Sequence, residues 1–546
     1  MKFVEKEAKD SIKNIKEESK IETQKIIDEN NKYIRISQLF NFGEDSGRNK
    51  DYNSVIKYNL EIIKLYGDIN NIKDKNHINN YAGAFYNIGT AKYELKIYDE
   101  AIEYLNKAIE LNPYYSGAYN NLALVYYAIK EYDKSLNYFN YSLSLNNKDP
   151  KTYNNRGTCK EKLEDYKGAL EDYNKAIELN PNYSEFYNNR GNIQKILNNI
   201  ENSIEDFDKA IELNPNYSEA YNNIALLQKK CGYYSDALKY INLSIKLKPN
   251  LPESYNNRAM IKLDLADDNY QKFLMNNNYM KSYIYLYNYY SEIKESSEKL
   301  LHREYKEILE DLNIALKLNS KYENAYINAG IVKSKLKMYD EAIKDFEKAI
   351  ELNPNNYNIY ENRALTKSYL ENYNGAIEDY DKSIELKPQD SKLYFDRYIV
   401  KQILLKNKDS EEYKKFFDDV YNDLDTAYNL ANEQLKEIIK NKIINIAIQK
   451  NEVAIKFCEN KGLNIKDIII YIEGYISKSL LLSKITDEDS EEYKKSFDDV
   501  YNDLNTAYNL ANKELKEIIK NQIIGMAIEE NEVAIKFCED KGWDIK

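Results

Sequence analysis

Residues 184–217 read SEFYNNRGNIQKILNNIENSIEDFDKAIELNPNY. This stretch is one copy of a 34-residue unit. A Leu near the end of the unit, usually followed by Asn-Pro or Lys-Pro, recurs every 34 residues from Leu111 to Leu247 and again from Leu318 to Leu386. The 71 residues between Leu247 and Leu318 equal one period plus an insertion of 37 residues. The sequence is therefore a repeat array whose register survives one insertion.

The side chains of the unit alternate between small and large in a fixed order. We number the unit so that its proline falls at position 32, as Pro215 does. Positions 8, 20 and 27 are then small in most copies, as at Gly191, Ser203 and Ala210, whereas positions 4 and 24 are bulky. Small residues allow two short helices, A and B, to cross closely, and large residues fill the gaps beside the crossing. Each unit is therefore predicted to be a helix pair that ends at the proline.

This pattern resembles the tetratricopeptide repeat (TPR) family over roughly residues 36–430, in ten copies of which the first, 36–66, is degenerate. The resemblance implies an all-α fold, a right-handed α-solenoid (superhelix) of antiparallel helix pairs. We predict an N-terminal helix over 1–30 and a TPR array over 31–407. Two duplicated helical units of 80-residue period are predicted to continue the solenoid over 408–546. The insertion, about 267–303, lies in the sixth repeat counted from residue 82 and is expected to be extra helix.

Composition excludes several classes of protein. With 16 Gly and 8 Pro in 546 residues, the chain has too few turn residues for a β-strand architecture with many tight hairpins. A net charge of −12 argues against a nucleic-acid binder. No apolar run approaches the length of a membrane span, and the four cysteines have no metal-ligand spacing. With two distant histidines and no catalytic motif, we expect a cytoplasmic chain that is not an enzyme and binds no cofactor, metal or membrane.

The candidate site is a set of asparagines in mid-helix, where Asn is a poor helix former. Position 6 is Asn in nine of the ten copies, and position 5 is Asn in five successive copies. We call the position-6 residues from the second copy onward the asparagine row: Asn87, Asn121, Asn155, Asn189, Asn223, Asn257, Asn328 and Asn362. The predicted peptide-binding set adds three position-5 residues: Asn154, Asn188 and Asn222.

An asparagine amide can pair with both the C=O and the N–H of an extended backbone. The row is similar to the asparagine ladder that lines the TPR superhelix of the O-GlcNAc transferase family, which implies that it holds peptides in a concave groove. No part of the chain resembles that family's catalytic domain. A second explanation stays open, because Asn is common at this position of the TPR consensus and recently duplicated repeats share residues through ancestry.

Positions 7 and 23 vary together. Arg at position 7 accompanies Asp at position 23 in five repeats, whereas an apolar residue at position 7 accompanies Tyr, and Ala329 with Asp345 is the one mismatch. We interpret the arginines as structural, paired with the aspartates inside each repeat.

Two functions remain. The first is a protein–protein interaction scaffold that binds peptide or protein partners through the asparagine-lined groove. The second is a ligand-sensing regulator, or a structural assembly subunit that acts through its terminal units. The chain is expected to be a monomer, or a homodimer formed through the C-terminal units.

Overall fold

A computed structural model describes residues 2–67, 74–277, 284–405, 410–448, 451–462, 469, 491–511, 516, 520 and 532–541. Every regular element among these residues is an α-helix, which confirms the predicted all-α fold of adjacent helix pairs. The chain divides into two compact units, Met1–Leu227 and Gln228–Lys546. This division falls inside the predicted TPR array, and the predicted domain limits at residues 30 and 407 remain predictions.

In the first unit odd-numbered helices are helices A and even-numbered ones are helices B. Its helices are α1 Lys2–Arg48, α2 Tyr52–Tyr66, α3 Lys75–Glu94, α4 Tyr98–Leu111, α5 Ser116–Ala128, α6 Tyr132–Leu145, α7 Pro150–Lys162, α8 Tyr166–Leu179, α9 Ser184–Ile196, α10 Ile200–Leu213 and α11 Ser218–Lys230, whose last residues belong to the second unit. The N-terminal helix predicted over 1–30 and the first helix A are one continuous helix.

The second unit continues the same alternation as far as Leu430. Its helices are α12 Tyr234–Leu247, α13 Pro252–Asn277, α14 Ile284–Leu318, α15 Glu323–Lys335, α16 Tyr339–Leu352, α17 Tyr357–Tyr369, α18 Tyr373–Leu386, α19 Ser391–Leu405, α20 Ser410–Leu430, α21 Glu433–Ile448, α22 Glu452–Asn460, α23 Glu491–Leu510 and α24 Glu532–Lys541. The described part of the insertion lengthens both helices of its repeat, at the end of α13 and the start of α14, and its residues 278–283 lie outside the described residues.

The glycines at position 8 show why helices A and B can cross closely. A Cβ added at Gly191 would lie 2.9 Å from the ring of Phe207, and one at Gly330 would lie 2.6 Å from the ring of Phe346. Both phenylalanines stand at position 24 of helix B and are fully buried. The missing side chain therefore makes room for the ring that fills the core of each pair.

The turn from helix A to helix B repeats one backbone conformation. The residue at position 15 has a positive φ in eight repeats, in the left-handed region. These residues are Lys50, Lys96, Lys130, Glu164, Asn198, Gly232, Lys337 and Glu371. The left-handed residue lets the chain turn back within a connection of about three residues. The two helices of a pair therefore run antiparallel.

The duplicated C-terminal segments bury equivalent residues. Val420, Leu424 and Ala427 of α20 are fully buried. The residues 80 positions later, Val500, Leu504 and Ala507 of α23, are buried as well, and they share one apolar cluster with Val420 and Leu424. Phe457 and Phe537 also occupy equivalent buried places. The second copy thus repeats the packing of the first where the structure describes it.

Candidate functional site

The asparagine row lies on successive helices A. Its eight members are all partly buried, neither in the core nor fully exposed. The position-5 asparagines lie deeper: Asn154, Asn188 and Asn256 are about 5% exposed or less, whereas Asn120 and Asn222 are partly buried. The predicted site therefore contains two kinds of asparagine, and the buried ones need partners within the protein.

In the first unit these asparagines bond to each other from repeat to repeat. The amide nitrogen of Asn223 donates to Oδ1 of Asn188 at 2.9 Å. Asn188 in turn donates to Asn189 at 3.4 Å, and Asn189 donates to Asn154 at 2.9 Å. A continuous line of side-chain amides therefore joins α11, α9 and α7.

A second line joins α7, α5 and α3. Asn155 donates to Asn120 at 3.3 Å, Asn120 donates to Asn121 at 3.0 Å, and Asn121 donates to Oγ1 of Thr90 at 2.8 Å. The position-5 residue thus accepts from the row member of the following repeat and donates to the row member beside it. This exchange explains the double asparagine: position 5 fastens one helix A to the next.

The partners change where position 5 is not asparagine. Position 5 of the first repeat is Phe40, and Asn87 of the second repeat donates instead to the buried Asn59 of α2 at 3.1 Å. In the second unit Asn328 donates to Asn256 at 2.8 Å, across the insertion. Asn362 follows a repeat with Ile327 at position 5, which cannot accept a hydrogen bond. It donates instead to the carbonyl of Asn358 in its own helix.

The hydrogen bonds leave part of the side-chain amides of Asn121 and Asn189 unused. A side-chain amide has two N–H donors and an oxygen with two lone pairs. Asn121 and Asn189 each give one N–H to the preceding repeat and take one bond at Oδ1 from the neighbouring position 5. One donor and one lone pair therefore remain on each of these row members, which is the complement of one peptide unit.

The five arginines at position 7 are all paired with the aspartate at position 23, as predicted. Arg190 illustrates the arrangement: its Nε and Nη2 reach Asp206 at 2.9 and 2.6 Å, and its Nη1 donates to Asn174 at 2.8 Å. The guanidinium also stacks over the ring of Tyr187. The other four pairs are Arg156–Asp172, Arg258–Asp311, Arg363–Asp379 and Arg397–Asp423.

A lysine at position 11 is a second cation that the sequence reading missed. Lys160, Lys262, Lys367 and Lys401 each contact the same buried aspartate as the arginine, at 2.7–3.0 Å. The mismatch of Ala329 with Asp345 has the same solution, because Lys333 pairs with Asp345 from position 11. The signal was present in the sequence as a Lys four residues after position 7.

Asp206 is the exception among these aspartates, since position 11 of its repeat is Gln194. Burial raises the pKa of Asp206, and the hydrogen bond and charge of Arg190 only partly oppose the rise. In the repeats of apolar style the ion pair is replaced by aromatic packing. Phe42 meets Tyr58 with ring centroids 5.8 Å apart, and Tyr138 packs on the cluster that holds Leu122.

Other kinds of site receive no support from the described residues. Among them no group of three or more His, Cys, Asp or Glu side chains is arranged to hold a metal ion. In the same part of the chain no helix has the length and apolarity needed to cross a bilayer. The free thiols of Cys159, Cys458 and Cys538 are buried, and burial raises the pKa of each.

Comparison with protein families agrees with the repeat geometry. Models described as tetratricopeptide repeat match residues 82–115, 116–149, 150–183, 184–217, 207–239, 323–356 and 346–378. These segments of the chain are TPRs. Five of the seven matched segments, 82–115, 116–149, 150–183, 184–217 and 323–356, coincide with the 34-residue unit deduced above. The other two, 207–239 and 346–378, run from one helix B into the next.

Solved structures of TPR proteins resemble the chain in fold. A TPR protein from Parabacteroides merdae is 21% identical, covers 52% of this chain and 98% of its own, and has a TM-score of 0.39. TTC0263 of Thermus thermophilus is 18% identical, with coverages of 40% and 98% and a TM-score of 0.31. YrrB, described as having an unusual peptide-binding site, is 22% identical, with coverages of 40% and 94% and a TM-score of 0.27. No curated protein matches the chain in sequence.

Proposed function

We propose that this TPR-containing protein is a non-catalytic scaffold for protein partners, and that its asparagine row binds the backbone of an extended peptide segment. The observation that carries the proposal is the half-satisfied state of two row amides, those of Asn121 and Asn189. Asn121 and Asn189 keep one donor and one acceptor position each, on a partly buried surface. An extended peptide offers one carbonyl and one N–H per residue, so each row amide can pair with one peptide group.

The hydrogen-bonded lines favour such binding because they hold the row in place beforehand. An Asn side chain that is already fixed by two bonds loses little rotational freedom when a ligand arrives. A fixed amide also aims its remaining donor and acceptor in a defined direction. The proposed ligand therefore meets a preorganised strip of polar groups rather than mobile side chains.

The position-5 asparagines have a different part in this proposal. Asn154 and Asn188 are almost wholly buried and bond to members of the row. We assign them to the support of the row and not to contact with the peptide. The ligand contacts are assigned to the row members.

The test begins with peptides selected from a displayed random library against the full chain, followed by titration of fluorescent copies. The variant Asn155→Ala with Asn189→Ala should bind about 30-fold more weakly, since two hydrogen bonds with a net contribution of about 1 kcal/mol each are lost. The control Asn137→Ala with Asn202→Ala changes two exposed asparagines of helices B and should bind as the wild type does.

A second control distinguishes residues that contact the peptide from residues that only hold the asparagine row in place. Asn154→Ala removes the acceptor of Asn189 but leaves the row amide itself in place. It should weaken binding less than Asn189→Ala, although both changes break the same bond between repeats. Equal losses, or unchanged binding in the double variant whose circular dichroism shows it folded, would refute the assignment of the row.

A further inference from the structure

A cleft of about 400 Å³ opens between α1, α2 and α3, at the amino-terminal end of the asparagine row. Phe40 and Gly47 of α1 and Val55 of α2 form its apolar side, and Asn87 and Thr90 of α3 form its polar side. Asn87 belongs to the row, and Thr90 accepts the hydrogen bond of Asn121. The cleft is therefore continuous with the amides that are proposed to bind a peptide backbone.

The cleft exists because the first repeat lacks a side chain that the next repeats have. Gly47 stands at position 12, where the following two repeats have Tyr93 and Tyr127. These tyrosines pack against Tyr98 and Tyr132 of their own helices B, with ring centroids 6.3 and 5.5 Å apart. A Cβ added at Gly47 would meet Val55 at 3.8 Å, an ordinary contact, so the space is open to a side chain.

The lining of the cleft combines an apolar wall with a negative mouth. The carboxylate of Glu44 lines it and is 65% exposed. The hydroxyl of Tyr52, a second lining residue, lies 3.4 Å from the carboxylate of Glu94. A long basic side chain fits such a site, because its methylenes can lie on the apolar wall while its charge stays at the wet, acidic mouth. Glu44 already pairs with Arg48, but so exposed a pair is weak and can be shared.

We propose that this cleft takes a lysine or arginine side chain of the bound peptide, and so gives the backbone-reading row its side-chain specificity. The inference rests on the proposed function, since the same peptide would lie along Asn87 and Asn121. The row accepts any sequence, whereas the cleft selects one residue of it. The net charge of −12 is consistent with a basic partner.

The test uses fluorescein-labelled nonapeptide pools with one fixed central residue, the other positions being mixtures of Gly, Ala and Ser. Anisotropy is measured with the full chain for pools fixed as Lys, Arg, Leu, Glu or Gly. We expect the Lys and Arg pools to bind about tenfold more tightly than the Gly pool, which is about 1.4 kcal/mol. The preference should weaken at high salt because the charges at the mouth are exposed.

Three variants complete the test. Gly47→Tyr fills the cleft as Tyr93 fills the next repeat, and should abolish the preference for Lys and Arg while leaving the Gly pool unchanged. Asn53→Tyr adds the same side chain at an exposed site of α2 and should change nothing. Glu44→Gln with Glu94→Gln should reduce the preference without filling the space.

The outcomes separate the two proposals. Equal binding of all pools by the wild type would overturn the cleft assignment and leave the row intact. Tighter binding of the Leu pool than of the Lys and Arg pools would overturn the basic ligand. If no pool binds, both proposals fail. A preference that survives Gly47→Tyr would place the basic residue somewhere other than this cleft.

Discussion

At the scale of single residues, the repeats solve one packing problem in two ways. Positions 7 and 23 hold either a buried ion pair, such as Arg190 with Asp206, or an apolar and aromatic pair, such as Phe42 with Tyr58. A buried ion pair has a large desolvation cost, which its attraction and hydrogen bonds must offset. The two solutions are therefore interchangeable as pairs but not residue by residue.

A double-mutant cycle tests this interchange. Arg190→Leu leaves the carboxylate of Asp206, 4% exposed, without its main cation and should lower the free energy of unfolding by about 3 kcal/mol. Adding Asp206→Tyr should restore part of the loss, because it recreates the apolar style of the following repeat, which has Ile224 and Tyr240 at these positions. Denaturant unfolding followed by circular dichroism measures both effects. Losses that simply add would show that the two positions are not coupled.

An exposed pair supplies the control for this cycle. Arg35 and Glu61 form an ion pair whose side chains are 46% and 39% exposed. Arg35→Leu should therefore have a much smaller effect on unfolding than Arg190→Leu, since water already solvates both charges.

The absence of a lysine at position 11 beside Asp206, where the chain has Gln194, should make the free energy of unfolding depend on pH. Burial raises the pKa of Asp206 in the folded protein, so this carboxyl stabilises the fold fully only below its unfolded-state pKa. That contribution is lost as the pH rises through the folded-state pKa. Gln194→Lys adds the cation that the other repeats have and should lower the pKa. The gain should be about 1 kcal/mol at pH 7 and vanish near pH 3, where the carboxyl is protonated in both states.

The neutral variant Gln194→Met is the matched control for this prediction. It removes the same hydrogen bond from Asn199 to Gln194 but adds no charge. The difference in unfolding free energy between the Lys and Met variants, measured from pH 3 to pH 7, isolates the charge. A difference that is the same at every pH would contradict the account.

At the scale of elements, the left-handed turn between helices A and B is the feature that closes each repeat. Seven of the eight turns with positive φ use a residue other than glycine, although such residues pay about 1 kcal/mol or more there. Helix packing on both sides must supply this energy. A glycine at such a turn would keep the same backbone conformation without this strain, and the repeat would then be more stable.

Glu164→Gly should stabilise the protein for this reason. Glu164 is exposed and has φ of 61°, a conformation that glycine adopts without strain. We expect a gain of about 0.5 kcal/mol after the entropy cost of glycine. Gly232→Ala, at the equivalent turn with φ of 80°, should lower stability by about 1 kcal/mol. Thermal unfolding measures both, and a loss of stability in Glu164→Gly would refute the reading of the turn.

At the scale of the whole chain, period and register followed from sequence because each repeat meets the same neighbours. Pro215, Gly191 and Phe207 stand at positions that have the same structural role in units 34 residues away. A pattern repeated in ten copies is therefore enough to predict the period and the positions of helices A and B. The Arg–Asp contact could also be predicted from the sequence, because positions 7 and 23 vary together among the repeats, which indicates that their side chains touch. The 80-residue duplication likewise predicted equivalent residues, as Val420 and Val500 show.

The cleft and the bonding of the asparagines did not follow from sequence. Asn154 and Asn155 are neighbours in the same helix, and only the structure separates a buried residue from a partly exposed one. The cleft depends on one absent side chain, at Gly47, whose meaning appears only when three helices are seen together. The repeated sequence pattern predicts the packing that all repeats share. It does not predict the cleft, which is formed by the first repeat, where Gly47 departs from the pattern.

Whether the asparagine row binds peptide backbone can be measured from the affinity of the full chain for a selected peptide and for its backbone N-methylated analogues. N-methylation keeps every side chain and removes one backbone donor at a time. If the asparagine row reads main chain, methylation at alternate peptide bonds should weaken binding about tenfold, and Asn155→Ala with Asn189→Ala should be less sensitive to it. Unchanged affinity of every methylated analogue would show that the row does not bind the peptide backbone.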